Sequence, residues 1–172
     1  MIRIGLVSCS SMKLPHAAPV RELYCSPLFK AATRYSITHC DWTYVLSAMH
    51  GIVTLDQRLE PYNVSLCGGR AGHKRLPKAD RVEWGYRVVG QLETLHPERG
   101  ALVMLAGREY IDPILRALLT QEYAEDSKAI ETRAPQWPHR WSMEQPLAGM
   151  QIGQRLSFLT RFDRTTTTEA HQ

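Results

Sequence analysis

The chain has 172 residues, of which 44% are hydrophobic and 22% charged. That is the size and composition of one packed domain, and it excludes a disordered chain. The net charge is only +4, too small for a uniformly basic surface. The longest apolar run, Ala101 to Ala106, falls far short of the ~20 residues a membrane helix needs. The four cysteines (Cys9, Cys25, Cys40, Cys67) form no Cys-x-x-Cys pair. Reduced, mostly buried thiols in a cytoplasmic protein are expected.

Ile2 to Ser8 reads as a first strand, an apolar run ending in Ser-Cys-Ser-Ser. Ser26 and Pro27 supply a cap and a first-turn proline for a helix with Leu28, Ala32 and Tyr35 inward. Trp42 to Leu46 is β-branched and aromatic, a second strand, and a long irregular passage, Ser47 to Pro77, follows. Lys78 to Leu95 places Trp84, Val88, Leu92 and Leu95 at helical spacing, and His96-Pro97 stops it. Ala101 to Ala106 is a buried strand. Tyr110 to Leu119 is a helix with Ile111, Ile114, Leu115 and Leu118 on one face. Lys128 to Glu131 is expected to be a short fourth strand. Ile152 to Phe162 is a last helix, aligning Ile152, Leu156 and Leu159, and a flexible tail is expected at 163–172. The reading is a single α/β domain over residues 1–162, mainly a parallel sheet with helices on both faces.

In such sheets the ligand crevice lies beyond the carboxyl ends of the strands, so the strand ends carry the search for function. The first is followed by Ser8-Cys9-Ser10-Ser11-Met12-Lys13, small hydroxylated residues and an amine suited to an anion or a base edge. It lacks the glycine spacing of a P-loop. The second is followed by Ser47-Ala48-Met49-His50-Gly51, then Asp56 and Glu60-Pro61-Tyr62-Asn63. His50 with nearby carboxylates suits acid–base chemistry, and Tyr62 with Asn63 suits stacking on a base and reading its edge. The third is followed by Gly107-Arg108-Glu109-Tyr110, where a helix start favours negative charge. Glu109 reads equally as a functional carboxylate or as a first-turn acid that complements the helix dipole.

The charge is concentrated. Arg58 to Arg87 holds Arg58, Arg70, Lys74, Arg75, Lys78, Arg81 and Arg87 against Glu60, Asp80 and Glu83, which accounts for the whole +4. Within it, Gly68 to Arg75 is a glycine-rich basic loop suited to a phosphate backbone through Arg70, His73, Lys74 and Arg75. Arg133 to Trp141 interleaves basic and imidazole side chains, Arg140 among them, with two Trp rings.

These motifs resemble a bacterial family of small domains with a Ser-Cys-Ser/Gly-x-x-Lys start, a Leu-Tyr-x-Ser-x-x-Phe segment opening a helix and a Ser-Ala-x-His/Tyr-Gly loop. They stand here as Ser8 to Lys13, Leu23 to Phe29 and Ser47 to Gly51, followed by Glu60-Pro61-Tyr62. Pro146 to Gly149 with Gly153-Gln154 is similar to that family's terminal motif. Leu46 to Gly51 with Pro61-Tyr62, and Leu105 to Tyr110, resemble motifs of the YaaA-type peroxide-stress proteins, which bind DNA. The α/β plan also resembles the uracil-DNA-glycosylase superfamily, which includes modified-base glycosylases of phage defence. The water-activating Gly-Gln-Asp-Pro-Tyr loop of uracil glycosylases is absent, Glu60-Pro61-Tyr62 being the nearest segment.

The resemblance implies a DNA glycosylase that extrudes and hydrolyses a modified base without metal or cofactor. Glu60, Asp56 or Glu109 would stabilise the cationic sugar and position water, with His50 stabilising the departing base. Tyr62 or Tyr24 would stack, Asn63 or Gln154 would read polar edges, and Ser8, Ser11 and Lys13 would hold phosphate. Cys9, Ser26, Ser47, Gly51, Gly107, Arg108 and Tyr110 would complete the substrate pocket, and Cys9 as a nucleophile stays open. Two other readings remain: a DNA-binding protein without turnover, and an N-glycosidase acting on free nucleosides or nucleotides.

Overall fold

Arg3–Ser8 forms β1, with Ile4, Gly5, Leu6 and Val7 all buried. A strand buried on both faces belongs at the centre of a covered sheet, and β1 lies in the middle of the order β4-β3-β1-β8-β9. The computed structural model describes residues 1–68, 74–132 and 141–166, by backbone alone at 121–132 and 162–166. After β1 come β2 (Ala18–Pro19), α1 (Val20–Leu23), α2 (Pro27–His39), β3 (Trp42–Ser47) and β4 (Gly51–Thr54). Then follow β5 (Arg58–Leu59), β6 (Val64–Ser65), β7 (Lys74–Arg75) and α3 (Lys78–Leu95). The described chain ends with β8 (Ala101–Leu105), α4 (Arg108–Thr132), β9 (Ser142–Glu144) and α5 (Ile152–Thr166).

β1 pairs in parallel with β3 and β8, and β8 in parallel with β9, while β4 turns back antiparallel on β3. The result is a single α/β domain whose sheet is mixed and mostly parallel. Strand residues alternate between two cores. Ile4, Leu6, Leu46, Leu102 and Met104 meet α3 and α4 on one face. Val7, Val45, Val103 and Leu105 meet α1, α2 and α5 on the other.

Several expectations need correction. The passage from Ser47 to Pro77 is not irregular but holds four short strands, β5 pairing with β2 and β6 with β7. Lys128 to Glu131 is not a strand: it lies within α4, and the last strand of the sheet is β9. The tail expected at 163–172 is helical through Thr166, and 167–172 lie outside the described residues. Leu95, Leu115 and Ile152 are exposed rather than inward. Phe29, Ala32 and Ser36 form the inner line of α2, while Leu28 and Tyr35 are only partly buried. The four cysteines are free and partly rather than fully buried. Among the described residues no helix is long and apolar enough to cross a membrane.

Close packing between α3 and α4 depends on one glycine. A Cβ on Gly85 would stand 2.3 Å from the carbonyl oxygen of Pro113, whereas a Cβ on Gly90, in the same helix, would meet nothing within 4 Å. Gly85→Ala is therefore expected to destabilise by about 1–3 kcal/mol through overpacking. Gly90→Ala is expected to stabilise by about 0.5–1 kcal/mol, because alanine restricts the unfolded chain. Urea unfolding midpoints check both, and equal effects of like sign would contradict the packing.

Candidate functional site

The connection after β1 passes through α2 to β3, and the return through α3 reaches β8 on the other side of β1. The carboxyl ends of β1 and β8 thus flank a topological switch point, where open α/β sheets place a crevice. A cavity of about 510 Å³ lies there, within the ~300–1,000 Å³ range of small-molecule sites. Ser8 to Met12 form one wall, Ser26 to Phe29 at the start of α2 a second, and Ile152, Arg155 and Leu156 of α5 a third. Ser26 caps α2 by accepting the Phe29 N–H at 3.2 Å, so this wall is a fixed helix N-terminus.

Beside the crevice the strand-end loops are locked by hydroxyl groups. The Tyr62 hydroxyl shares hydrogen bonds of 2.7 Å with Ser47 and with Tyr24. Ser47 Oγ also accepts the His50 N–H at 3.1 Å, and the Ser47 carbonyl accepts the Trp84 indole N–H at 2.8 Å. Burial holds both phenols above their ordinary value. The Cys9 thiol and the Tyr110 hydroxyl are 3.2 Å apart. Lys13 Nζ lies 4.4 Å from the Tyr62 ring centroid and 5.5 Å from that of Tyr24. Burial draws the Lys13 ammonium below its ordinary value, opposed by Cys9. Burial, with Glu109 and Cys9 adding to it, pushes the Cys67 thiol up to about 11, so Cys67 is a thiol at neutral pH.

Gly51 has φ +76° and its side faces Gln91 Oε1, only 2.2 Å from where a Cβ would stand. The positive φ strains any larger residue there, which would also displace the Gln91 amide. Gln91 accepts the Ile52 N–H at 2.8 Å and donates to the His50 carbonyl at 3.4 Å, so it pins the loop from below. The His50 ring meets Tyr62 edge-on at 5.6 Å, and burial, with Arg87 adding to it, lowers its pKa.

The three carboxylates expected to compete for catalysis separate in space. β4 runs back along β3, pairing Ser47 with Gly51 and Tyr44 with Thr54, and so carries Asp56 away from the carboxyl ends. Asp56 there is exposed and ion-paired with Arg21. Glu60 is exposed just after β5, two residues from Tyr62. Glu109 stands at the start of α4. A Cβ on Gly107 would meet Glu109 Oε2 at 3.4 Å and Arg155 Nη1 at 4.0 Å, so Glu109 and the crevice-lining Arg155 approach the same point. Glu109 also lines a groove of about 470 Å³ with Arg75, Lys78, Arg81, Arg108, Asp112 and Arg116. Glu109 thus lines the basic groove and approaches Arg155 of the crevice across Gly107.

Other expected residues take simpler roles. Gln154 accepts the Gln151 N–H at 2.8 Å and caps α5. Exposed Asn63 uses its backbone carbonyl to accept the Lys74 N–H at 2.8 Å. Lys74 and Arg75 are exposed on β7, and Arg75 Nε donates to the Leu66 carbonyl at 3.3 Å. Arg108 is exposed with its guanidinium 3.8 Å from Asp112. Arg70, His73 and Arg140 lie outside the described residues. The sequence reading missed Arg155 and Gln91. Arg155 directly follows the Gly153-Gln154 motif and was within reach, whereas Gln91 carries no local signal. Among the described residues no group of three or more His, Cys, Asp or Glu is placed to hold a metal.

Fold and site define a doubly wound α/β domain with a ligand-sized crevice at its switch point. The chain belongs to the DUF6884 family, a family of unknown function, whose model matches residues 4–161. It is similar to the uncharacterized protein YfjM of Bacillus subtilis strain 168, at 32% identity over 116 residues, 64% of this chain and 73% of that protein. No solved structure matches it.

Because burial and the Arg87 cation both disfavour imidazolium, His50 is expected to titrate below 6.5, its ordinary value. Removing the cation in Arg87→Ala should move the midpoint up. An NMR titration of the His50 ring checks this, and a wild-type midpoint at or above 6.5, or no upward movement in the variant, would contradict it.

Proposed function

We propose that this protein is an N-glycosidase that excises a modified base from DNA. The observation that carries the reading is the position of Glu109, the one carboxylate of the three candidates that lines the basic groove and approaches the crevice-lining Arg155 across Gly107. An extruded nucleoside would enter the crevice, and the phosphates on either side of it would lie toward Arg75, Lys78, Arg81, Arg108 and Arg116. Glycosidic cleavage builds positive charge on the sugar. Glu109 would stabilise that charge and orient the attacking water. Ser8, Ser10 and Ser11 offer hydroxyls to the base edge, and Arg155 offers a guanidinium.

The strand-end motifs and the two-sided α/β plan support the likeness to the uracil-DNA-glycosylase superfamily. Asp56, held by Arg21, and Glu60, exposed beside β5, are better read as surface groups. The Tyr24–Tyr62–Ser47 cluster is read as the support that fixes the loops, rather than as a stacking platform, since both rings are committed to Lys13 and to one another.

The test incubates the protein with oligonucleotides carrying a broad panel of modified bases and measures released base by mass spectrometry and abasic sites by alkaline cleavage. Release of base from at least one substrate is expected, with Glu109→Gln reducing the rate by about 100-fold or more. Asp56→Asn and Glu60→Gln should stay within about twofold of wild type, as surface substitutions do. Binding without base release across the panel would leave a DNA-binding module, and wild-type turnover by Glu109→Gln would remove its assigned role.

A further inference from the structure

Lys30, Lys74 and Lys78 are exposed, whereas Lys13 is half-buried. Its backbone is held on both sides. Lys13 forms an antiparallel bridge with Tyr24, the Met12 carbonyl accepts the Cys25 N–H at 2.9 Å, and the Leu14 N–H donates to Leu23 at 2.9 Å. Its side chain crosses the Tyr62 ring and the neighbouring Tyr24 ring, and its amine is close enough to Cys9 to feel that group's charge. Cys9 itself lines the crevice. Among the described residues no carboxylate lies within ion-pair distance of Nζ, and none contributes to the amine's shift. A surface lysine is a hydrated, mobile point charge. A sheltered and fixed one with no carboxylate beside it among the described residues has the properties of a nucleophilic amine.

We propose that Lys13 is an amine nucleophile that captures the C1′ aldehyde of an abasic sugar, giving the protein a lyase activity besides base excision. This rests on the base-excision reading for the arrival of the sugar, though the chemistry can be tested without it. The Lys13 amine adds to C1′ of the ring-opened sugar, the aldehyde oxygen leaves as water, and a protonated imine remains. Loss of a C2′ proton to water then breaks the C3′–O bond, with the 3′-phosphate as leaving group, and the strand is cut. Addition of water to the imine releases the unsaturated aldehyde and restores the amine. No oxidant, metal or cofactor enters the balance. Lys13 directly follows the Ser8 to Met12 wall in the chain, so capture would take place on that side of the crevice.

The experiment offers the wild-type protein an oligonucleotide with a single preformed abasic site in the presence of cyanoborohydride, which reduces an imine to a stable amine. A covalent protein–DNA adduct is expected, with the tryptic cross-link mapping to Lys13. Without the reductant, the strand should be nicked with a 3′ unsaturated aldehyde. Both Lys13→Gln and Lys13→Arg should reduce trapping to background, the arginine keeping the charge over the tyrosine rings, while exposed Lys30→Gln should trap like wild type. Circular dichroism confirms that each variant is folded. Wild-type trapping by Lys13→Arg, mapping to the Met1 amine, or no adduct at all would overturn the proposal. Base release without trapping would leave the glycosidase reading standing alone. Trapping without base release from any modified DNA would uphold Lys13 and remove that reading.

Discussion

Tyr62 is the tie on which the strand-end architecture depends. Its hydroxyl sits 2.7 Å from both Ser47 at the end of β3 and Tyr24 beyond α1, so one phenol ties a strand end of the main sheet to two connections outside it. In water these hydroxyls would gain little from one another. Buried, each would leave an unsatisfied polar group if a partner were lost, which costs about 1–3 kcal/mol. The same arrangement fixes Lys13 over the rings and holds the turn at Ser47-His50, beside the Ser8 to Met12 wall of the crevice.

Around this tie the charges are arranged by the fold rather than by local sequence. α3 and α4 both begin at the basic groove, bringing Lys78 and Arg81 beside Arg108 and Arg116, and β7 adds Arg75. Any attraction of these cations for phosphate is long-ranged and screened by salt. The crevice is different in kind: hydroxyls, a helix start and one partly buried arginine surround apolar Val7, Phe29, Leu105 and Leu147. Groove and crevice are thereby two chemically distinct surfaces, Glu109 lining the first and approaching Arg155 of the second.

Much of this was legible in the sequence because its signals are local. The apolar runs at Ile2 and Ala101, the Ser26-Pro27 cap and the spacing of Trp84, Val88 and Leu92 specify their elements directly. So did the strand-end rule, which singled out Ser8 to Lys13, Ser47 to Gly51 and Gly107 to Tyr110. What was not legible depends on partners distant in sequence. β4 is four residues long and takes its identity from pairing with β3, and that pairing alone sends Asp56 away from the crevice. β9 is an edge strand with exposed Ser142 and Glu144, so it lacks the apolar run that marks β1 and β8. Arg155 reaches the switch point only because α5 packs against α2.

The central claim is that the crevice between β1 and β8 is where a nucleotide of the bound DNA enters. A ¹⁵N-resolved NMR titration with an abasic-site oligonucleotide tests it most directly, since every loop reports separately. The account predicts the largest shifts in the amides of Ser8 to Met12, Phe29, Gly107 to Glu109 and Arg155, with smaller ones along Lys78, Arg81 and Arg116. Shifts confined to the amino ends of the strands, around Asp41 and His96, or none in the Ser8 to Met12 loop at saturation, would contradict it.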